Sequence, residues 1–305
     1  MRIASTQFHA IMNSSLQTAN TGLAHVIEQM SSGQRVQRPS DDTIASMRLS
    51  RLSREEAAMS QYQDNIGALR SRLRNNETLL TSLNQDMLQV RDLLVWAADG
   101  ANTPADMAAM ASSLESLRDS LLHTANSRDS EGHFLFSGTF TDRPPIPAVS
   151  DALATPPITA FVYAGNMATQ EVAVGPGVTV PANVTLEEMA ALVKQLDTLA
   201  TNLKGPPLMS AAAAQPQVAA TLNLLDTTMN SVTSKIGSLG GLQTVLQTLE
   251  DNQAAVSLSN KQASLTLGQL DYGEAAVRLN SYTIAVQATQ KAYGRVSNLS
   301  LFDVL

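Results

Sequence analysis

Apolar residues recur along this chain at alternating steps of three and four from Met59 to Ala97. The rungs are Met59, Tyr62, Ile66, Leu69, Leu73, Asn76, Leu80, Leu83, Met87, Val90, Leu94 and Ala97, and Asn76 alone among them is polar. This spacing predicts the seam of a long helix packed lengthwise on other helices. A helix from Asp42 to Ala98 would be ~85 Å long, beyond the diameter of a compact domain. The pattern is that of a building element.

Both ends of the chain repeat a second design. Phe8, Met12, Leu16, Ala19, Leu23, Val26 and Met30 predict an amphipathic helix whose polar face is nearly uncharged, Glu28 being the lone formal charge between Ile3 and Gly33. Near the other end Leu279, Tyr282, Val286, Tyr293 and Val296 form a stripe, with Ala285, Ala288, Ala292 and Leu299 alongside. Two such helices can pair through their stripes and bury their outer faces against neighbouring subunits.

Between these elements the breaks are explicit. Gly33 to Asp42 interrupts the helical pattern, and Ser40, Asp41 and Asp42 suit the first turn of the long helix. Asp99-Gly100 ends that helix, and Thr103-Pro104 opens a shorter one carrying Met107, Met110, Leu114, Leu117 and Leu121. From Gly132 to Val184 lie seven of the twelve prolines, with β-rich runs at Ile158–Tyr163, Gln170–Val174 and Val178–Val180. The turn Ala164-Gly165-Asn166 predicts a hairpin between the first two runs.

Thr185 and Glu188 predict a capping box for the next helix, which carries Met189, Val193, Leu196, Ala200 and Leu203. After Gly205-Pro206-Pro207 a second long helix is expected to follow Pro216. Its stripe runs Val218, Leu222, Leu225, Met229, Val232, Ile236, Leu239, Leu242, Leu246, Leu249 and Val256, with a slip of phase at Gly240-Gly241. Terminal helix, long helix and insert are thus followed by long helix and terminal helix. The expected fold is mainly α: long nested antiparallel rods with a small β-rich outer domain. The divisions are 1–40 plus 271–305, a terminal coiled-coil domain; 41–138 plus 185–270, a helical rod; and 139–184, the β-rich insert.

Composition narrows the function. Only 4% of the 305 residues are aromatic, so Leu, Ala, Met and Val must supply the core, and no cysteine is available for disulfides or thiolate chemistry. A net charge of −7 without a basic run argues against nucleic acid, and no apolar run is long enough to span a bilayer. The opening residues lack the apolar core of a Sec signal peptide. His9, His25, His123 and His133 lack metal-ligand spacing, and no phosphate loop, dinucleotide fingerprint or serine nucleophile elbow occurs. No catalytic, cofactor or metal site is expected.

Five local stretches resemble the bacterial flagellin family, and within it the FlgL-type hook-associated proteins of the hook–filament junction. They are the opening Met1-Arg2-Ile3-Ala4-Ser5-Thr6-Gln7, the run Ser31-Ser32-Gly33-Gln34-Arg35-Val36, the run Arg38-Pro39-Ser40-Asp41-Asp42, Phe134-Leu135-Phe136-Ser137-Gly138, and the closing Leu301-Phe302-Asp303-Val304-Leu305. Tyr163-Ala164-Gly165-Asn166 also resembles a turn of the family's variable domain. Thr43 stands where the family commonly has Pro, and Ile236 to Gly241 only loosely follows its G-A-R-x-N.

The resemblance implies a structural protein of the flagellum, not an enzyme. It would join hook to filament, seed flagellin polymerisation and leave the cell by the flagellar type III route to an extracellular site. Implied partners are an adjacent hook-associated protein, flagellin, further copies in a ring, and an export chaperone at the C-terminal region. Phe8, Met12, Leu16, Leu23, Val286, Val296, Leu299, Phe302 and Leu305 are expected in assembly contacts, and Ser31, Ser32, Gly33, Arg35, Arg38, Pro39, Ser40, Asp41 and Asp42 carry the family motif. The alternatives are a flagellin filament subunit, a secreted coiled-coil effector or adhesin, and, least in keeping with the residues, an enzyme displayed on the insert.

Overall fold

The computed structural model describes residues 2–151 and 158–297, with side chains at 7–148 and 160–295. Among these lie helices α1 (Arg2–Ser32), α2 (Thr43–Ala97), α3 (Pro104–Ala125), α4 (Glu187–Lys204), α5 (Ala211–Gly268) and α6 (Tyr272–Ser297). The strands are β1 (Ala148–Asp151), β2 (Ile158–Phe161), β3 (Glu171–Gly175) and β4 (Val178–Pro181). The fold is mainly α, as the apolar periodicity predicts. The chain divides into two compact units, 1–59 with 254–305 and 60–253. The rod expected over 41–138 and 185–270 contributes to both.

In the unit 60–253 the ladder faces inward, every rung from Ile66 to Ala97 being buried and Tyr62 half-buried. Polar pairs fix how the helices run. Arg70–Glu250 at 2.5 Å and Gln243–Glu77 at 2.6 Å set α2 antiparallel to α5. Ser120–Asp86 at 2.7 Å sets α3 antiparallel to α2. Arg118 with Asp197 and Lys204 with Glu115 do the same for α3 and α4. Lys235–Glu188 at 2.6 Å and Asn202–Gln217 at 3.0 Å return α5 along α4. Four helices thereby enclose one core of Leu, Met, Val and Ala side chains.

Local chemistry decides the element ends. Thr103 caps α3 in a reciprocal box with Asp106, and Pro104 occupies the first turn, where its missing N–H costs nothing. The box expected at Thr185 and Glu188 does not form. Glu188 Oε1 instead accepts hydrogen bonds from Lys235 and Ser231 of α5, while Leu186 occupies the cap position without a side-chain bond. Helix α5 also starts earlier than expected, at Ala211, so that Pro216 falls inside it. The Ser210 carbonyl accepts the Ala214 amide at this early start. The helix then continues unbroken through Gly240 and Gly241.

The inner face of α5 differs in detail from the apolar stripe. Thr221 and Thr228 are buried, whereas Leu222 and Met229 are half-buried. Each threonine hydroxyl donates to a carbonyl one turn back, Thr221 to Gln217 at 2.7 Å and Thr228 to Leu224 at 2.9 Å, which makes its burial tolerable.

The β pairing is also a correction. β2 pairs antiparallel with β1, not with β3, in the register Ala148↔Phe161 to Asp151↔Ile158. β3 instead pairs with β4 across Pro176-Gly177, with Gly177 at φ +71°. The turn expected to join β2 to β3 clasps an earlier loop: the Asn166 amide donates to Ser137 O at 3.1 Å, and the Ala164 amide to Pro145 O at 2.8 Å.

Asn76 has no exposed surface, and neither of its amide atoms has a hydrogen-bond partner. A buried unpaired amide costs about 1–3 kcal/mol. Asn76→Leu is therefore expected to stabilise the unit by about that amount, raising the Tm by a few degrees. A lower Tm in the variant would mean that the amide is held by bonds that the geometry does not reveal.

Candidate assembly interface

The motif loop 33–42 is built around hydrogen bonds to the other helix break in the same unit. Gly33 ends α1 at φ +70°, its amide donating to Gln29 O at 2.9 Å, a conformation that a side chain disfavours. The Leu270 amide then donates to Gly33 O at 3.0 Å, and the Arg35 amide to Gly268 O at 2.7 Å, so Gln34 and Gln269 face each other as an antiparallel bridge. Arg35 completes the tie with its guanidinium. Nη1 donates to Asp42 at 3.0 Å and Nη2 to Leu267 O at 3.1 Å, a cation at the carbonyl end of α5.

Of the two acids of the motif, Asp42 caps α2 and Asp41 folds back on the loop before it. Asp42 Oδ1 accepts the Ala45 amide at 2.9 Å, and Asp41 Oδ2 accepts the amides of Gln37 and Arg38 at 3.1 and 2.9 Å. Ser32 accepts from Gln37 Nε2 at 2.5 Å, and Arg38 reaches Glu28 of α1 at 3.0 Å. Ser31, Pro39 and Ser40 are exposed. Asp271 plays the capping part for α6, accepting the Gly273 and Glu274 amides, a role that the periodicity did not single out.

The Arg38 amide holds the Asp41 carboxyl below its ordinary value of 3.8, and the Ala45 amide, seconded by Arg35, does the same for Asp42. The folded loop therefore holds its protons less tightly than the unfolded chain. Its contribution to stability is present above pH 3.8 and is lost as the pH falls through the lowered values. Hydrogen exchange at Ala45 and Arg38 is expected to quicken in that acid window before the core of 60–253 opens. Equal protection at about pH 3 and about pH 6, on either side of the ordinary carboxylate range, would contradict it.

The terminal helices pair antiparallel within one chain. His9 and Tyr293 meet edge to face at 5.4 Å between ring centroids, and the small Gly22 lies against the ring of Tyr282. Val26, Leu270 and Ala275 form a small buried cluster with Met30, Leu279 and Tyr282 packed on it. Phe8, Met12, Leu16, Leu23 and Val286 are half-buried. The side chain of Val296 and residues Leu299, Phe302 and Leu305 lie outside the described residues.

The surface of this unit is rich in apolar side chains. Ile11 and Ile27 of α1 and Tyr272, Val277, Ile284 and Tyr293 of α6 are exposed, as are Ile44 and Met47 of α2 and Val256, Leu258 and Leu265 of α5. Among the described residues, eleven of the twenty large exposed apolar side chains thus fall in the smaller unit, a density that marks a surface awaiting a partner. Tyr293 and Val256 lie on stripes legible in the sequence, whereas the other nine lie off them and the periodicity does not reveal them.

Other chemistry is sparse. Asp129, Glu131 and His133, a group that residue spacing did not suggest, bring one potential ligand atom each within 4.8 Å in an exposed turn. Asp129 Oδ1 is already occupied by the amides of Glu131 and His133, which is ordinary turn geometry. Among the described residues no helix is long and apolar enough to cross a membrane.

Paired terminal helices, a tied double break and a four-helix core with a β-containing insert define a subunit of the flagellin type. The family model for the bacterial flagellin N-terminal helical region matches residues 3–141. A solved structure described as a putative flagellar hook-associated protein from Vibrio parahaemolyticus is 33% identical, with a TM-score of 0.65 over 74% of this chain and 99% of that one. Flagellar hook-associated protein 3 of Escherichia coli K12 is 26% identical over 91% of each chain, and that of Salmonella typhimurium LT2 is 25% identical over 100% of this chain and 99% of its own. The flagellar junction protein FlgL from Legionella pneumophila shares the fold at a TM-score of 0.55 and 14% identity, covering 72% of this chain and 100% of that one.

The chain belongs to the bacterial flagellin family, in its branch of FlgL-type flagellar hook-associated proteins. The role of that branch is structural, in the flagellar hook–filament junction.

Proposed function

We propose that this chain joins hook to filament, seeds flagellin polymerisation and has no catalytic activity of its own. The observation that carries the reading is the apolar surface exposed on the α1–α6 pair, at Ile11, Ile27, Tyr272, Val277, Ile284 and Tyr293, where formal charge is scarce. Such a surface gains about 25 cal/mol for each Å² of apolar area covered, so a neighbour's equivalent helices can order and hold it. An adjacent hook-associated protein on one side, flagellin on the other and further copies around a ring would cover it. The three-way division 1–40 plus 271–305, 41–138 plus 185–270, and 139–184 then corresponds to inner, middle and outer layers. Before assembly the C-terminal region needs cover too, which an export chaperone would give during type III passage to the cell exterior.

Deletion of the gene tests the reading. The expected result is cells with intact hooks, no filaments and unpolymerised flagellin in the medium, restored by the gene in trans. Loss of flagellin itself would make the chain a filament subunit, and normal filaments would refute the junction role.

A further inference from the structure

We propose that the groove between α2 and α3 around Trp96 is a docking site for a cationic amphipathic helix of a partner protein. It lies wholly within the unit 60–253 and is independent of the terminal-helix surface. Trp96 is the chain's only tryptophan, yet it stands 45% exposed beside Val95 at 57%. Tryptophan is the residue most enriched at binding hot spots, and exposing it without a partner leaves a large apolar area in water.

Its position is fixed. The Trp96 carbonyl accepts the Asp99 amide at 3.1 Å and the Asn102 side chain at 2.8 Å, so the turn after α2 anchors the residue at the groove's edge. Two adjoining cavities of about 420 and 330 Å³ flank the ring. Both are lined by Leu93, Trp96 and Ser113, and they extend to Leu117 on one side and Met110 on the other. Leu117 and Met110 lie two turns apart on α3, a separation that suits apolar side chains likewise two turns apart on an incoming helix.

Charge selects the occupant. Asp92 lines one cavity beside the ring and Asp106 the other, and among the described residues neither makes an ion pair. Asp106 keeps its charge because Thr103 hydrogen bonds hold its carboxyl below the ordinary value. Arg91, the residue before Asp92, is turned to Asp226 of α5 at 3.6 Å. Two carboxylates without an ion pair beside an exposed indole favour lysine or arginine on the partner, which can pair with the acids and lie over the ring face.

The single tryptophan also supplies the probe. The full chain would be titrated with a synthetic Leu/Lys amphipathic helix and with its Leu/Glu counterpart, following Trp96 emission and, in parallel, heat. The expected result is a saturable blue shift with the Leu/Lys peptide alone, weakened at about 0.5 M salt. Asp92→Lys, and Trp96→Ala read by calorimetry, should each weaken binding about tenfold or more. Glu171→Lys, the same charge change on exposed β3, should leave it unchanged, with circular dichroism verifying the fold of every variant. No saturable binding, equal binding of the Leu/Glu peptide, or equal losses in Asp92→Lys and Glu171→Lys would each overturn the proposal.

Discussion

Cells whose only copy carries Leu16→Glu with Leu23→Glu are expected to make no filaments, while the core of residues 60–253 melts as in the natural chain. Both leucines are half-buried on the α1 stripe that meets α6. The fully buried apolar residues of that pair are few, Ala19 and Val26 on α1 and Ala275 on α6, with Leu270 just before it. Losing the half-burial of each leucine removes about 1 kcal/mol, and a carboxylate in its place adds a desolvation cost. An isolated helix is marginal in water, so a loss of this size unpairs α1 from α6. Distant substitutions act independently, so the main thermal transition should move by no more than about 2 °C. Filament counts by electron microscopy and a melt of the purified chain measure the two halves. Normal filaments on the variant cells would show that the α1–α6 pairing is dispensable for assembly.

Gly138→Ala is expected to have the opposite distribution, destabilising the large unit while leaving the terminal pair intact. Gly138 has φ +74°, a conformation that costs a residue with a Cβ about 1–2 kcal/mol. A Cβ there would also land inside the contact distance of the Asn166 carbonyl, which is backbone and cannot step aside. The clasp around it is dense. Asn166 bonds Thr139 through both amide atoms, at 2.8 and 2.6 Å, and Gln170 donates to Gly138 O at 3.0 Å. Tyr163 shares its hydroxyl between the carbonyls of Phe136 and Asn166, and burial raises its pKa to about 12. Opening the clasp exposes Phe136, which has no exposed surface in the folded unit. The total is about 3–5 kcal/mol, a Tm decrease of roughly 10 °C for a unit of this size. A shift of under about 2 °C would mean that the loop relaxes freely and the glycine is not required.

How much of this was legible beforehand follows from the range of each interaction. The α2 ladder was readable because its period is a property of one helix: any core packed along it must take the same face. The start of α3 was readable because Thr103 and Pro104 act within one turn, although the Asp106 half of the box was not anticipated. Thr185 and Glu188 had the same local signature, and there a lysine on α5 competed for the glutamate and won. The partner of β2 could not be read, since Ala148 to Asp151 carries weak strand signals and pairing depends on which segment the folded core brings alongside.

For the assembly surface, the sequence by itself determined that α1 and α6 each have an apolar stripe and little charge, because both are written in the order of residues. It also determined the helix break at Gly33, where a glycine acts on its own neighbours, but not the capping role of Asp271 at the break before α6. Only the tertiary structure decided that these two breaks are tied to each other, through Gly33, Arg35, Gly268 and Leu270. Only it decided that Thr221 and Thr228 turn inward beside the half-buried Leu222 and Met229. The reason is the same in both cases. A helix period fixes an angle about one axis, whereas the face that loses its water is set by neighbours more than a hundred residues away, such as α2 against α5.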